Sequence, residues 1–266
     1  MNKIVLHVCL TGFHQEKNYS NIRDLFLRLD SFNDEIEIKK YILYKTNENE
    51  GLRHLLLPLN LEERLVADSC ENFELIGYES NFLKSGGVHV PHTPTTLTIQ
   101  HEPLSHFLSG DISDNDYVLK TRTDVHISDE FIDQFTSVNF YESLKTVPSE
   151  HTVFETKIWN ALIGPGNVFE FTDYFFLARA KELRLTLLSD HKDSCRIWSH
   201  PLMNSDHPPF AEKIQHIKPL LPHLEKYNIT NVNSEYYWEI VNHNFHVAAV
   251  GEGNDPRRPV LDRNRK

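Results

Sequence analysis

The order of the first elements along the chain restricts its fold more than any other sequence feature. Residues 3–10 are apolar and predict a buried strand, which ends at Thr11 and Gly12. A helix is predicted next, with Ser20 as its N-cap, because apolar residues recur at i, i+3, i+4 and i+7; they are Ile22, Leu25, Phe26 and Leu29. A second strand is predicted at about 35–44, although Lys40 interrupts its apolar parity. Strand, helix and strand in this order predict a Rossmann-like α/β layer, which binds ligands at the carboxyl ends of its strands.

The same strand-then-helix pattern returns in the middle of the chain. A strand predicted at 117–122 stops at Thr123 and Asp124, and Ser128 is the predicted N-cap of the helix behind it. Asp124 therefore lies in a strand-to-helix connection, where ligand-binding groups are common. Further strands are predicted at 154–163 and 173–178.

Length and composition predict one globular domain. A chain of 266 residues with 39% hydrophobic and 24% charged residues can bury a sizeable core. No segment reaches the ~18 consecutive apolar residues that would span a bilayer. The apolar start of the chain is short and has no small-residue cleavage site, so it is predicted to be the first strand and not a signal peptide.

Cysteine use and charge exclude several classes of protein. The 3 cysteines are odd in number and widely spaced, which indicates neither a disulfide framework nor a cysteine zinc site and favours the cytoplasm. The net charge of −11 argues against a general nucleic-acid binder. The tail 251–266 is basic, and two interpretations remain open: contact with an anionic membrane surface or a diphosphate, or a solvated tail.

The segment Arg122-Thr-Asp-Val-His126 is the strongest candidate for chemistry. In extended geometry Asp124 and His126 would point to the same side and bind one divalent ion such as Mn²⁺ or Mg²⁺. That ion, or Arg122 itself, would neutralise a nucleotide diphosphate. With 16 histidines in the chain, the same spacing also fits two residues that bind no metal.

Three segments resemble the WavE-type lipopolysaccharide synthesis family. Asp116-Tyr-Val-Leu-Lys-Thr-Arg-Thr-Asp-Val125 is similar to its signature, an apolar strand that ends in Lys-x-Arg-[Ser/Thr]-Asp. Phe171-Thr-Asp-Tyr-Phe-Phe-Leu177 and Asn233-Ser-Glu-Tyr-Tyr237 resemble two later stretches in the same order. The likeness extends from about residue 85 to 245. The chain departs from the family at Thr11-Gly12, where the glycine-rich pattern is reduced, and at His126, where the family more often has an aliphatic residue.

The resemblance implies roles for individual residues. Arg122 and Asp124 would face the nucleotide sugar and a metal, and Asp173 and Glu235 would be acceptor-site carboxylates, one of them a general base if the reaction inverts. Without the resemblance, Asp173 is also explained as a strand-start residue and Glu235 as a charge that suits a helix N-terminus. Thr11 and Gly12 would let backbone amides approach the nucleotide, or form a plain turn.

Taken with the resemblance, these patterns predict a GT-A-like, Rossmann-type α/β fold with a mixed, mainly parallel sheet flanked by helices. Residues 1–250 would form a single glycosyltransferase domain, followed by the tail. The expected reaction moves a sugar from a nucleotide-sugar donor to a glycan or lipid-linked glycan of the bacterial surface, such as lipopolysaccharide or capsule. A divalent metal and a cytoplasmic location at the inner membrane face are further expectations. A sugar nucleotidyltransferase and a non-catalytic glycan-assembly protein are the alternatives.

Overall fold

A computed structural model describes most of the predicted domain. The residues that it describes are 3–12, 14–32, 35–46, 57–58, 60–79, 102–162, 171–187, 217–231 and 233–247. The tail 251–266 lies outside them, so the predicted boundary at residue 250 stays a prediction. None of the helices in the described ranges is long and apolar enough to cross a membrane.

Seven strands form one mixed sheet. They are β1 (Ile4–Thr11), β2 (Ile36–Lys45), β3 (Phe73–Tyr78), β4 (Tyr117–Arg122), β5 (Ile158–Leu162), β6 (Phe171–Arg179) and β7 (Phe245–Val247). Their order across the sheet is β3-β2-β1-β4-β6-β5-β7. Among the described strands, β6 alone runs against its neighbours, and the remaining pairs are parallel. The predicted α/β fold with a mixed, mainly parallel sheet flanked by helices is confirmed, and its GT-A-like character stays a prediction.

Helices cover both faces of the sheet. They are α1 (Tyr19–Asp30), α2 (Leu61–Ala67), α3 (Glu102–Leu108), α4 (Asp129–Phe135), α5 (Val138–Ser143), α6 (Ala180–Thr186), α7 (Leu221–Lys226) and α8 (Tyr237–Asn244), with 3-10 turns at Glu16–Asn18 and Lys218–Leu220. One apolar core joins the sheet to α1, α2, α4 and α5, and a second joins its other face to α3, α6, α7 and α8. The alternation of side chains along the strands supplies both cores.

Two details of the first strand–helix–strand unit differ from expectation. Ser20 lies inside α1, and Asn18 is the N-cap, because the 3-10 turn Glu16–Asn18 leads directly into the helix. Lys40, which interrupts the apolar parity of β2, is buried nevertheless. Its amine donates to the Asp30 carboxylate and lies 5.2 Å from the centre of the Phe26 ring, so the buried charge is compensated.

The predicted strand at 154–163 begins later than expected, at Ile158. The backbone amides just before it are bound by side chains from distant helices. Asn244 Oδ1 accepts from the amides of Val153 (2.6 Å) and Phe154 (3.2 Å), and Glu182 Oε1 accepts from those of Glu155 (3.1 Å) and Thr156 (3.0 Å). These amides therefore find partners outside the sheet, and the segment is irregular.

Candidate functional site

The sheet has its topological switch point between β1 and β4. From β1 the chain proceeds through β2 to β3 on one side, whereas β4 pairs with β1 on the other. In open α/β sheets the ligand crevice lies at such a point, outside the carboxyl ends of the strands. Here those ends are Thr11 and Arg122, which are opposite each other in register. The Thr123 amide donates to the Thr11 carbonyl at 3.1 Å, so the loops after the two strands are joined directly.

Arg122 and Asp124 bind each other at this crevice. The guanidinium donates from Nε to Asp124 Oδ1 at 2.8 Å and from Nη2 to Oδ2 at 2.6 Å. The side chains are 14% and 27% exposed, respectively, so the pair is partly accessible from solvent. Two parallel charge-assisted bonds hold the guanidinium plane in a fixed orientation. The structure thus brings the two central candidates into a single unit.

His126 follows a turn rather than an extended strand. The Val125 amide donates to the Arg122 carbonyl at 3.2 Å, which closes the turn. The same-side geometry assumed for an extended Asp-x-His pair therefore does not apply, although Asp124 and His126 are both half-buried while Val125 is buried. Among the described residues no group of three or more His, Cys, Asp or Glu side chains is arranged to hold a metal.

The loop after β1 is fixed on two sides. Gly12 has a φ of 101°, in the left-handed region that a side chain rarely adopts. Beyond it, His14 is buried and its Nε2 donates to the Leu43 carbonyl of β2 at 2.9 Å. Burial lowers the pKa of His14 from its usual value of 6.5 to about 4, opposed by the bond to Leu43. The loop is thus attached to β4 through Thr11 and to β2 through His14.

The positive end of α1 lies beside the same loops. Asn21, in the first turn of this 12-residue helix, donates from Nδ2 to the Thr123 carbonyl at 3.2 Å. The first amides of a helix carry partial positive charge, which favours an anion nearby. Asn21 therefore joins the first turn of α1 to the loop after β4.

Two buried lysines share a sheet face with Arg122. Lys120 is two residues earlier in β4, fully buried, and its amine lies 5.8 Å from the centre of the Phe176 ring. Lys45 ends β2 and is 1% exposed. Burial lowers the pKa of Lys45, and the Glu102 carboxylate partly opposes the effect. Both lysines are thus buried on the sheet face that carries Arg122.

The two predicted acceptor-site carboxylates lie in different places. Asp173 is the third residue of β6, two before Phe175, which pairs with Thr121 of β4. Because β6 begins where β4 ends, the backbone of Asp173 lies at the edge of the sheet that holds Arg122. Glu235 is an exposed turn residue before α8. Its neighbour Tyr236 packs on His151, with ring centres 5.6 Å apart, and no bond among the described residues joins Glu235 to the crevice.

The sequence prediction grouped Thr11, Gly12, Arg122 and Asp124, which lie at the carboxyl ends of β1 and β4 or just beyond them. It did not single out His14, Lys45 and Lys120, which the structure shows to be buried. Thr11 is fully buried, and its hydroxyl has no hydrogen-bond partner among the described residues. The signal for the lysines was present: each interrupts or ends an apolar strand, and a charged residue at the end of a buried strand often faces a ligand. His14 carried no such local signal.

Comparison with known proteins gives distant structural likenesses only. No protein-family model matches the chain, and no curated protein matches its sequence. The glycosyltransferase GlyE of Streptococcus pneumoniae TIGR4 is 13% identical over 80% of this chain and 42% of that one, with a TM-score of 0.36. TarS of S. aureus is 14% identical over 68% and 29%, with a TM-score of 0.34. Mouse xyloside xylosyltransferase 1 is 10% identical over 92% and 84%, with a TM-score of 0.38.

The chain spans less than half the length of the first two of these structures. Likeness at these identities and TM-scores does not decide the activity, and the WavE-type resemblance stays a prediction. The functional argument therefore depends on the crevice of this chain.

Proposed function

We propose that the chain is a nucleotide-sugar-dependent glycosyltransferase whose donor binds in the crevice between β1 and β4. The observation that carries the proposal is the Arg122–Asp124 unit at the topological switch point, beside the positive-φ glycine at position 12. A glycine allows a ligand close to the backbone, and a guanidinium matches phosphate oxygens in geometry and charge. Both features suit a nucleotide.

The reaction would place a developing negative charge beside Arg122. An acceptor hydroxyl attacks the anomeric carbon, the bond from that carbon to the phosphate oxygen breaks, and the nucleotide leaves with the electron pair. A fixed cation at the leaving phosphate stabilises this charge more in the transition state than in the ground state. In an inverting reaction a base also takes the hydroxyl proton. Asp173 and Glu235 are the proposed carboxylates, and Asp173 is favoured because β6 begins at the edge of the crevice.

The finer parts of the proposal follow from the WavE-type resemblance. The acceptor would be a growing bacterial surface glycan or its lipid-linked form, and the enzyme would work at the inner face of the cell membrane, with the basic tail 251–266 as a contact for anionic lipid. A divalent metal bound by Asp124 and His126 stays a separate prediction.

A donor screen tests the class of enzyme. Thermal unfolding of the protein is followed with UDP-, GDP-, ADP- and CMP-sugars, each with and without Mn²⁺, because a ligand that binds only the native state raises the unfolding temperature. Stabilising donors then go into a turnover assay. No stabilisation by any donor would contradict the proposal, and release of pyrophosphate from a nucleoside triphosphate would identify a nucleotidyltransferase instead.

Replacing Asp124 tests the site. We expect Asp124→Ala to lower turnover by about 100-fold, or about 2.7 kcal/mol, because the guanidinium that stabilises the transition-state charge loses the two bonds from Asp124 that orient it. Asp133→Ala is the matched control, since Asp133 also accepts from an arginine, Arg28 Nη2 at 3.1 Å, on an exposed surface. Equal turnover in the two folded variants would refute the assignment.

A further inference from the structure

Two tyrosines form a small aromatic surface beside the helices α7 and α8. Tyr227 directly follows α7, and Tyr236 directly precedes α8. Their ring centres are 4.9 Å apart, and the rings pack on the imidazole of His151 at 4.9 and 5.6 Å, respectively. Both tyrosines are half-buried, so part of each stays accessible from solvent. The two tyrosines, with His151 packed against both, are the tyrosine surface.

Two exposed carboxylates lie beside the tyrosine surface. Glu239 Oε2 is 2.9 Å from His151 Nε2, and Glu150 Oε1 is 4.0 Å from the same nitrogen. Glu150 Oε2 accepts from the Tyr227 hydroxyl at 2.8 Å and from the Lys226 amine at 3.3 Å, and these bonds lower the pKa of Glu150. The side chains of Glu239 and Glu150 are 55% and 67% exposed, so both can accept bonds from a ligand in solution.

The imidazole at the centre of the tyrosine surface lowers the stability of the fold. His151 is 7% exposed, and its Nδ1 has no hydrogen-bond partner among the described residues. A buried polar atom without a partner costs free energy on folding. Such atoms are few in native proteins and need a reason other than stability, of which a functional role is one.

Tyr19 of α1 shows what is particular to the tyrosine surface. It is half-buried as well, its hydroxyl donates to the Asp68 carboxylate at 2.9 Å, and the Arg64 guanidinium lies 3.9 Å from its ring centre. Tyr227 also has a carboxylate at its hydroxyl and a cation near its ring, the Lys226 amine at 4.5 Å. Within the described ranges, however, no second ring packs on Tyr19, whereas two rings pack on Tyr227. A continuous aromatic area is therefore present only at the second tyrosine of this comparison.

We propose that the tyrosine surface binds a neutral saccharide unit of the acceptor glycan. This inference rests on the proposed function. The C–H groups of a sugar ring pack on aromatic side chains and its hydroxyls donate to carboxylates, so Tyr227 and Tyr236, together with Glu150 and Glu239, supply both kinds of contact. Tyrosine offers a large contact area with only two χ angles to order. Two carboxylates beside the single amine of Lys226 repel an acidic sugar, which favours a neutral one.

The position of the tyrosine surface in the fold fits a long acceptor. Helix α8 leads directly into β7, and β7 is three strands away from β4 in the sheet. Neighbouring strands are about 4.8 Å apart, so β7 is about 14 Å from β4. The surface would thus hold a unit of the glycan that is distant from the reacting hydroxyl. Glu235, the predicted acceptor-site carboxylate that is exposed directly before Tyr236, would contact the same part of the glycan.

Oligosaccharide binding in the absence of donor is the first test. Cellohexaose, maltoheptaose and chitohexaose are titrated into the full chain by calorimetry, with hexagalacturonate as an acidic counterpart of similar length. We expect at least one neutral oligosaccharide to bind with a Kd of about 1 mM or below, and hexagalacturonate to bind at least about tenfold more weakly. Binding of none of the neutral oligosaccharides, or tighter binding of hexagalacturonate, would overturn this inference. Either result leaves the proposed function standing, because that function fails through the donor screen.

Variants test whether the tyrosine surface is the binding place. We expect Tyr236→Ala to weaken binding of the same oligosaccharide by about tenfold, or about 1.4 kcal/mol, whereas Tyr236→Phe keeps the ring and should bind as wild type. Glu150→Gln changes an exposed side chain and should weaken binding by about threefold, or about 0.7 kcal/mol. Tyr19→Ala is the matched control, since Tyr19 has a carboxylate and a cation but no second ring. If Tyr236→Ala does not fold, Glu150→Gln decides, and affinities equal to that of the control would refute the proposal.

Discussion

His14 offers the sharpest quantitative prediction, because it is buried at the loop that fixes the crevice. The residue is 4% exposed, and Nε2 of its ring donates to the Leu43 carbonyl at 2.9 Å. Burial holds its pKa at about 4, against 6.5 in a hydrated chain. The native state therefore keeps His14 neutral at pH values where the unfolded state already binds a proton.

The sign and size of the effect follow from this difference. Because the native pKa is the lower one, His14 contributes stability that is complete above pH 6.5 and is lost as the pH falls toward 4. The full loss is about 3 kcal/mol, at about 1.4 kcal/mol for each pKa unit. Between about pH 7.5 and about pH 5, the free energy of unfolding falls by about 2 kcal/mol, because His14 binds a proton in the unfolded chain over this range but stays neutral in the native state.

Urea unfolding of wild type and His14→Gln at these two pH values measures the effect. Glutamine keeps an N–H donor for Leu43 but does not titrate, so wild type should lose about 2 kcal/mol more than the variant on acidification. His106→Gln, which removes an exposed histidine of α3, is the control and should behave as wild type. The same loss in wild type and His14→Gln would refute the buried, neutral histidine.

Two further substitutions test the fold around the site. Gly12→Ala should lower the free energy of unfolding by about 1–3 kcal/mol, because a residue with a side chain is strained at a φ of 101°. Gly110→Ala, at an exposed position without positive φ, is the control. Equal urea midpoints of the two variants would contradict backbone strain at position 12. Asn244→Ala should lower the free energy of unfolding by about 2–4 kcal/mol, because the fully buried side-chain amide bonds to the backbone of Val153, Phe154, His151 and Ile240. Asn242→Ala, at an exposed position of the same helix, is the control. Equal unfolding temperatures of the two variants would exclude this role of Asn244.

Elements with a local signal were predictable from the sequence. The predicted strand at 117–122 and the helix behind Ser128 agree with β4 and α4, because apolar periodicity acts within a few positions. Ser128 is at the N-cap position, although its hydroxyl makes no cap bond. The irregular start of β5 was not predictable. Its amides are bound by Asn244 and Glu182, which are 90 and 26 residues away from Phe154 and Thr156, respectively.

Some residues of the candidate site were likewise predictable from the sequence, and others were not. Thr11, Gly12, Arg122 and Asp124 were predicted to meet because strand ends collect at one edge of a parallel sheet. The turn that the Val125 amide closes onto the Arg122 carbonyl was not part of the assumed extended strand. His14 was not predicted because its partner is the carbonyl of Leu43 in β2, 29 residues away, and the residues around His14 in the sequence do not indicate this bond.

Strands β1 and β4 have a pair of charged or polar side chains near each end, and the two pairs differ in how deeply they are buried. Near the amino ends, His7 binds Asp116 at 3.0 Å, is 2% exposed and lies against the rings of Tyr41 and Phe107. Burial lowers the pKa of His7, and Asp116 opposes this, as in a pair that belongs to the core.

The pair at the carboxyl ends is more exposed, since Asp124 is 27% accessible. A partly exposed Arg–Asp pair contributes about 1 kcal/mol or less to stability. The His7–Asp116 pair already joins β1 to the segment before β4, so holding the strands together does not account for a second pair at the other edge. Binding of the proposed donor in this crevice would account for it, because the gain then appears on ligand binding rather than on folding.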